Sequence, residues 1–390
     1  MSVSQSLEDT ILFDKTYASM LAGAIGDAMG GPVEGWHYER IVEAYGVVNT
    51  LLPYDQSPDY HSHFAIAPGT VTDDTRLKHL LCQAIMARGD LPRRGDVVKT
   101  LADAYYAAQT DLERGFLEEY VLGGMHGEAK LIWGGQPTNG LIMANSPLGL
   151  ICPADPERAF ALSYDVDFIS DGYAKYSAAM AAAAVAAAMR PQATVASVVE
   201  EVLAASQAHR AEGELARQWH WYEHVFQINE SLVKRAVEIA AHHADVFSLR
   251  AEFYEHLQVS PLGSEAGQTL AVALGMLVAA GGDLRQTLIG LSACDAQAGL
   301  SACDAQAGCV NYGRDNDSYA SVAGAIAGAL QGTGAIPAGW RRTVEAANPE
   351  PDMRALVGAG ASGSAAAAQN ADIGHRSHCT DEWGSPEFGV

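Results

Sequence analysis

A chain of 390 residues with 48% hydrophobic content can bury a large core, and its length suits one or two domains. The formal net charge of −23 argues against a nucleic-acid surface or an anionic membrane as partner. Six cysteines (Cys82, Cys152, Cys294, Cys303, Cys309, Cys379) show no CxxC or Cys–His metal spacing, and "MSVSQSLEDT" at the start has neither the basic nor the apolar segment of a secretory signal; together they read as a reduced, cytoplasmic protein.

Helical periodicity recurs along the chain while alternating strand patterns are scarce, which predicts an all-α domain over residues 1–347. Tyr17, Met20, Leu21, Ala24, Ile25 and Ala28 form the first apolar stripe, stopped by Gly30–Gly31–Pro32. Leu77, Leu80, Leu81, Ala84 and Ile85 form the second, closed by Gly89. Further helical patterns cover roughly 96–109, 156–190, 194–208, 211–243, 265–280 and 317–331. Within 156–190, "YAKYSAAMAAAAVAAAM" is too rich in alanine, and too interrupted by Lys175, for a membrane span; it reads as a tightly packed core helix. In the last pattern, Ala320, Gly324 and Gly328 fall at i, i+4 and i+8, a smooth face that admits a close helix.

Two segments stand apart. "LSACDAQAG" occurs twice in tandem, at Leu291–Gly299 and Leu300–Gly308. Nine extra residues turn a helix by about 900°, half a turn out of phase, so the repeat is expected to loop out or to be a recent duplication. From Asn348 the chain turns to Gly, Ala, Ser, Pro and Asn, and residues 348–390 are expected to form a flexible tail.

Charge concentrates at two helix starts. In "VTDDTRL", Thr72 is a good N-cap and Asp73 and Asp74 fall in the first turn, where the helix dipole favours negative charge. That alone is ordinary helix chemistry. "GRDNDSYAS" repeats the arrangement, with Asp315 and Asp317 ahead of a helix and Ser318 supplying a hydroxyl. Carboxylates and a hydroxyl are hard oxygen donors that suit Mg²⁺ or Mn²⁺. If the two starts converge, four carboxylates meet, and they repel one another unless cations lie between them.

The chain resembles the ADP-ribosylglycohydrolase family, which includes the ADP-ribosylarginine hydrolases and the dinitrogenase-reductase-activating glycohydrolases. The resemblance rests on "GAIGDAMGGPVEGW" (Gly23–Trp36), "GTVTDDTRL" (Gly69–Leu77), "TNGLIMANSPLGL" (Thr138–Leu150) and "NYGRDNDSYASVAGAIAGAL" (Asn311–Leu330), in the family's order over roughly residues 10–345. It implies a compact, orthogonally packed all-α domain with two Mg²⁺ (or Mn²⁺) ions in a central cleft, and cleavage of a ribosyl C–N or C–O bond. Carried over by position, Thr72, Asp73, Asp74, Asp315, Asp317 and Ser318 would bind metal. Glu34 and Asp74 become the candidate catalytic residues; Asn139, Gly140, Asp171, Gly313 and Arg314 become candidates for holding the substrate. The implied substrate is a ribosyl or ADP-ribosyl compound.

The chain departs from the family's pattern in two places. Asp171, in "DFISDGYAKYS", stands where a histidine is common, and "IMANSP" carries Asn145 where an arginine often follows the methionine. These changes open the alternative of a small ribosyl substrate such as a nucleoside; the duplication beside Asp315 opens that of a non-catalytic member. Other candidates read as structural: His61 and His63 as loop residues, His220 and His224 without an HExxH glutamate, Trp219, Trp221 and Tyr222 as packing. Asp27, inside the first helix, is as readily structural as catalytic. No Walker loop, Rossmann fingerprint or Ser–His–Asp signature is present.

Overall fold

The computed structural model describes residues 8, 10–54, 67–109, 114, 115, 117, 118, 120, 121, 138–170, 172–212, 222–243, 248–260, 263–289 and 308–358. The helices are α1 (Ile11–Gly30), α2 (Tyr38–Tyr45), α3 (Asp73–Arg88), α4 (Arg94–Ala107), α5 (Ser146–Leu150), α6 (Pro156–Val166), α7 (Gly172–Ala188), α8 (Val195–Glu212), α9 (Tyr222–Ala241), α10 (Arg250–His256), α11 (Ala266–Ala279), α12 (Leu284–Ile289), α13 (Cys309–Tyr312), α14 (Asn316–Gln331) and α15 (Ala338–Ala347). Among the described residues there is no strand, only isolated bridges at His37–Gly313 and Thr138–Glu265. The fold is all-α, as the periodicity predicts. No helix of the described residues is long and apolar enough to cross a membrane.

α1 starts where Thr10 accepts the Phe13 N–H at 3.1 Å, and it is buried without a break from Tyr17 to Gly30. A helix apolar on every side must lie at the centre of its fold. Its main partner is α14, from the far end of the chain. A Cβ at Gly26 would overlap the Ala320 backbone, one at Gly324 the Ala22 backbone, and one at Gly328 the Ala18 backbone. The two helices therefore touch backbone to backbone. α7 is buried from Tyr176 to Ala188 and packs on α6, α8, α11 and α14, a second smooth surface built from alanine.

The expected helical stretch over 156–190 is two helices. The Asp167 carboxylate accepts the N–H groups of Ile169 and Ser170, both at 2.9 Å, and Gly172 turns the backbone at φ 54°. Such an Asx-type turn competes with helix propagation, so the apolar period continues while the backbone does not. Within the segment expected as a tail, residues 348–358 are folded against the domain. Asn348 donates to the Gly69 and Val344 carbonyls, residues 353–358 are helical, and Leu356 and Val357 are buried. The polar composition of this segment hid a short apolar edge. Residues 359–390 and the repeat up to residue 307 lie outside the described residues.

Gly26→Val tests the seam. The added branch cannot enter without parting α1 from α14, and the expected loss is about 1–3 kcal/mol or more. A urea unfolding midpoint unchanged from wild type overturns this packing account.

Candidate active site and carboxylate cluster

The acidic site is assembled by three helix ends. α3 is capped by Thr72, whose hydroxyl accepts the Asp74 N–H at 3.4 Å, so Asp73 and Asp74 fall in the first turn. α14 begins after Asp315 and carries Asp317 and Ser318 in its first turn. α1 runs into a short turn, Gly31–Val33, that delivers Glu34. The seam then acts directly on the site, because a Cβ at Gly30 would overlap the Asp317 backbone.

Glu34 is held in place by backbone pairing. The Gly35 N–H donates to the Arg314 carbonyl and the Arg314 N–H to the Trp36 carbonyl, both at 2.7 Å. Gly313, at φ 80°, has no room for a Cβ against the Trp36 carbonyl, so this pairing requires glycine. Arg314 itself has φ 63°, and its guanidinium lies over the Tyr254 ring, 5.3 Å from the centroid.

Glu34, Asp315 and Asp317 each bring a carboxylate oxygen within 4.8 Å of the others. Ser318 Oγ donates to Asp74 Oδ2 at 3.3 Å, which ties the second acidic motif to the first. Asn139 donates to the Asp315 carboxylate through its amide, and its backbone N–H bonds the Ser264 carbonyl at 3.1 Å. Gly140 packs against Ile169 and Tyr120. Asp74, Asp315, Asp317 and Ser318 are buried, whereas Glu34 and Asp73 are half-buried and form the outer edge. Asp171 lies outside the described residues, as do His61, His63 and His220, and the side chain of His224.

Such a group is electrostatically unfavourable by itself. Burial, then the Glu34 charge, pushes the Asp315 carboxyl up to about 7. Burial, then Glu34, Asp74, Asp315 and Asp27, raises Asp317 well above the ordinary carboxylate range. Asp74 rises for the same first reason, with Asp27 and Asp73 adding to it and Lys78 opposing. Asp74 Oδ1 is buried with no hydrogen-bond partner. Like charges forced together raise one another's pKa, and a cation among them reverses that. An orphaned buried carboxylate oxygen, a hydroxyl and clustered carboxylates are the hard-oxygen donor set of Mg²⁺ or Mn²⁺, so these residues fit a divalent cation.

Asp27 has a different part. Its carboxylate accepts the Thr72 N–H (3.0 Å), the Thr72 hydroxyl (2.7 Å), the Thr75 N–H (3.1 Å) and the Thr75 hydroxyl. It caps α3 from the neighbouring helix, and the Thr72 hydroxyl proton is committed to it. The readable signal was an acidic residue in an otherwise apolar helix; its partner 45 positions away was not readable. Asn145 is also structural: it is buried, and its amide donates to the Ala178 carbonyl and to Ser163 Oγ. Lys78 was missed altogether, although a lysine inside the Leu77–Leu81 stripe is itself an anomaly.

The family model described as ADP-ribosylglycohydrolase matches residues 8–370, and the chain belongs to that glycohydrolase family. A curated relative, the uncharacterized protein YegU of Escherichia coli (strain K12), is 24% identical over 355 residues, covering 86% of this chain and 93% of its own. Among solved structures, an "ADP-ribosylglycohydrolase-related protein complex" aligns with TM-score 0.58 at 22% identity, over 90% of this chain and 99% of its own; that likeness is one of fold.

Two outcomes follow from the hydrogen bonds and the charges. Asp27→Asn places an amide against four donors, and should cost about 1–3 kcal/mol in urea unfolding; an unchanged midpoint contradicts the capping role. Carboxyls raised in the folded state hold protons that the unfolded chain has already released near pH 4, so their contribution is present at acid pH and lost as pH rises through about 7. Metal-free protein should therefore melt at progressively lower temperature between roughly pH 5 and pH 8. Circular-dichroism melts that climb across this window overturn that balance of charges.

Proposed function

We propose that this chain is a divalent-metal-dependent hydrolase that cleaves an N- or O-ribosyl bond and removes ADP-ribose from a modified target. The observation that carries the reading is the meeting of Glu34, Asp315 and Asp317, with Asp74 tied to Ser318, from motifs spread across the sequence. Asp73, Asp74, Asp315, Asp317 and Ser318 would hold two Mg²⁺ (or Mn²⁺) ions, with Thr72 contributing only through the one lone pair that its bonds with Asp27 and the Asp74 N–H leave. When bound, the ions supply an activated water and an anchor for ribose hydroxyls.

The residues themselves do the rest. Glu34, at the half-open edge, exchanges a proton with the leaving group. The buried carboxylates favour positive charge developing on the ribose carbon. Asn139, tied to Asp315, fixes the orientation of that carboxylate. Arg314 holds the Glu34 loop through two backbone bonds, and Gly313 gives the room they need, which supports a place for both beside the substrate.

Removal of ADP-ribose is favoured over the small-ribosyl alternative because Asn145, one of its two grounds, is a buried structural residue. A disabled site is disfavoured because the acidic residues converge in spite of the duplicated segment. Three free thiols among the described residues, Cys82, Cys152 and Cys309, support a reducing, cytoplasmic setting.

Calorimetric titration of ADP-ribose into Mg²⁺-loaded protein should show binding that EDTA abolishes. Asp317→Asn should lower hydrolysis of an ADP-ribosylated substrate on the order of 10²-fold or more. Metal binding with no ADP-ribose binding, alongside release of base from a nucleoside, moves the assignment to the small-ribosyl reading; full activity in Asp317→Asn removes the site assignment.

A further inference from the structure

Lys78 lies one turn beyond Asp74 on α3 and is 1% exposed. Its ammonium donates to Ser321 Oγ on α14, one turn beyond Asp317 and Ser318. On its third side stands α1, where a Cβ at Gly23 would come within 3.0 Å of Nζ. The ammonium is thus wedged between the three helices that carry Asp27, Asp74 and Asp317. No carboxylate of the described residues forms an ion pair with it, so a hydroxyl is its one hydrogen-bond partner among them.

A buried ammonium without a paired carboxylate is costly, and an apolar side chain of similar length would fill the same space more cheaply. What distinguishes this position is the charge around it. Burial pulls the Lys78 pKa below its ordinary value, the Asp74 and Asp27 charges work against that and favour the ammonium, and Lys78 in turn opposes the rise of Asp74. A unit charge close to the carboxylates, in a medium of low dielectric, acts on whatever cations those carboxylates hold.

We propose that Lys78 is a positioning residue, a fixed internal cation that offsets part of the carboxylate charge and thereby lowers the site's affinity for divalent metal. The inference rests on the metal-site reading above and adds to it: the affinity for the ions is set from behind the ligands by a residue that touches none of them. Lys78→Met keeps most of the length of the side chain and removes its charge. Lys78→Gln does the same with a polar group, and serves if the methionine variant does not fold. Ser321→Ala keeps the charge and removes the hydrogen bond.

The experiment is titration of Mn²⁺ into metal-free protein, with free Mn²⁺ read by electron paramagnetic resonance. Lys78→Met or Lys78→Gln should bind Mn²⁺ ~10- to 100-fold more tightly than wild type, and Ser321→Ala should stay within about threefold of it. A merely structural lysine would shift the melting temperature and leave Mn²⁺ affinity alone, and that result overturns the inference while the metal site stands. If wild-type protein binds no Mn²⁺, the metal-site reading fails and this inference falls with it.

Discussion

α1 and α14 come from opposite ends of the chain and meet along a seam with no side-chain layer between the backbones. Gly26, Gly324 and Gly328 leave no space for a Cβ, and Gly30 extends the contact to Asp317 itself. Close-packed helices transmit position with little slack, since interiors have the density of organic crystals. The acidic turn of α14 therefore sits at a fixed height beside the end of α1, and α3 is drawn to the same place by the bonds from Asp27. Everything proposed for the site depends on this contact.

Two kinds of carboxylate result. Asp27 is fully used as an acceptor: backbone and hydroxyl donors of α3 surround it, and it stabilises a helix start that would otherwise expose unpaired N–H groups. Asp74, Asp315 and Asp317 are buried with fewer donors, and their proton affinities rise. The same residue type is thus divided by its surroundings into a structural group and a buried acidic cluster. Asn139 donates to Asp315 and Ser318 to Asp74, so each of these two carboxylates has a side-chain donor from a different motif.

The open edge of the cluster is governed by backbone rather than by side chains. The bonds between Gly35, Trp36 and Arg314, with the bridge from His37 to Gly313, stitch the loop after α1 to the loop before α14. Glu34 is carried with the first loop to the carboxylates that follow the second. Half-buried, it keeps a contact with solvent that the buried carboxylates lack, as the proton exchange proposed for it requires.

Much of this was legible in local pattern. The apolar period of α1 and α3, the Thr72 cap, the stops at Gly30–Gly31 and Gly89 and the smooth face of α14 are all short-range features, and the structure keeps them. The acidic motifs were readable as metal-type donors because Asp and Ser oxygens are hard donors wherever they stand. What local pattern could not supply was the split at Asp167, where a side chain takes backbone donors, or the order of residues 348–358, whose few apolar side chains acquire a partner only in the fold. The sequence by itself determined an all-α chain with helix starts rich in metal-type ligands. Only the tertiary structure decided that Glu34 joins Asp315 and Asp317, that Asp27 caps α3, that Asn145 leaves the substrate question to other residues, and that Lys78 stands behind the site. Those roles are set by neighbours distant in sequence, brought together by packing that no local period encodes.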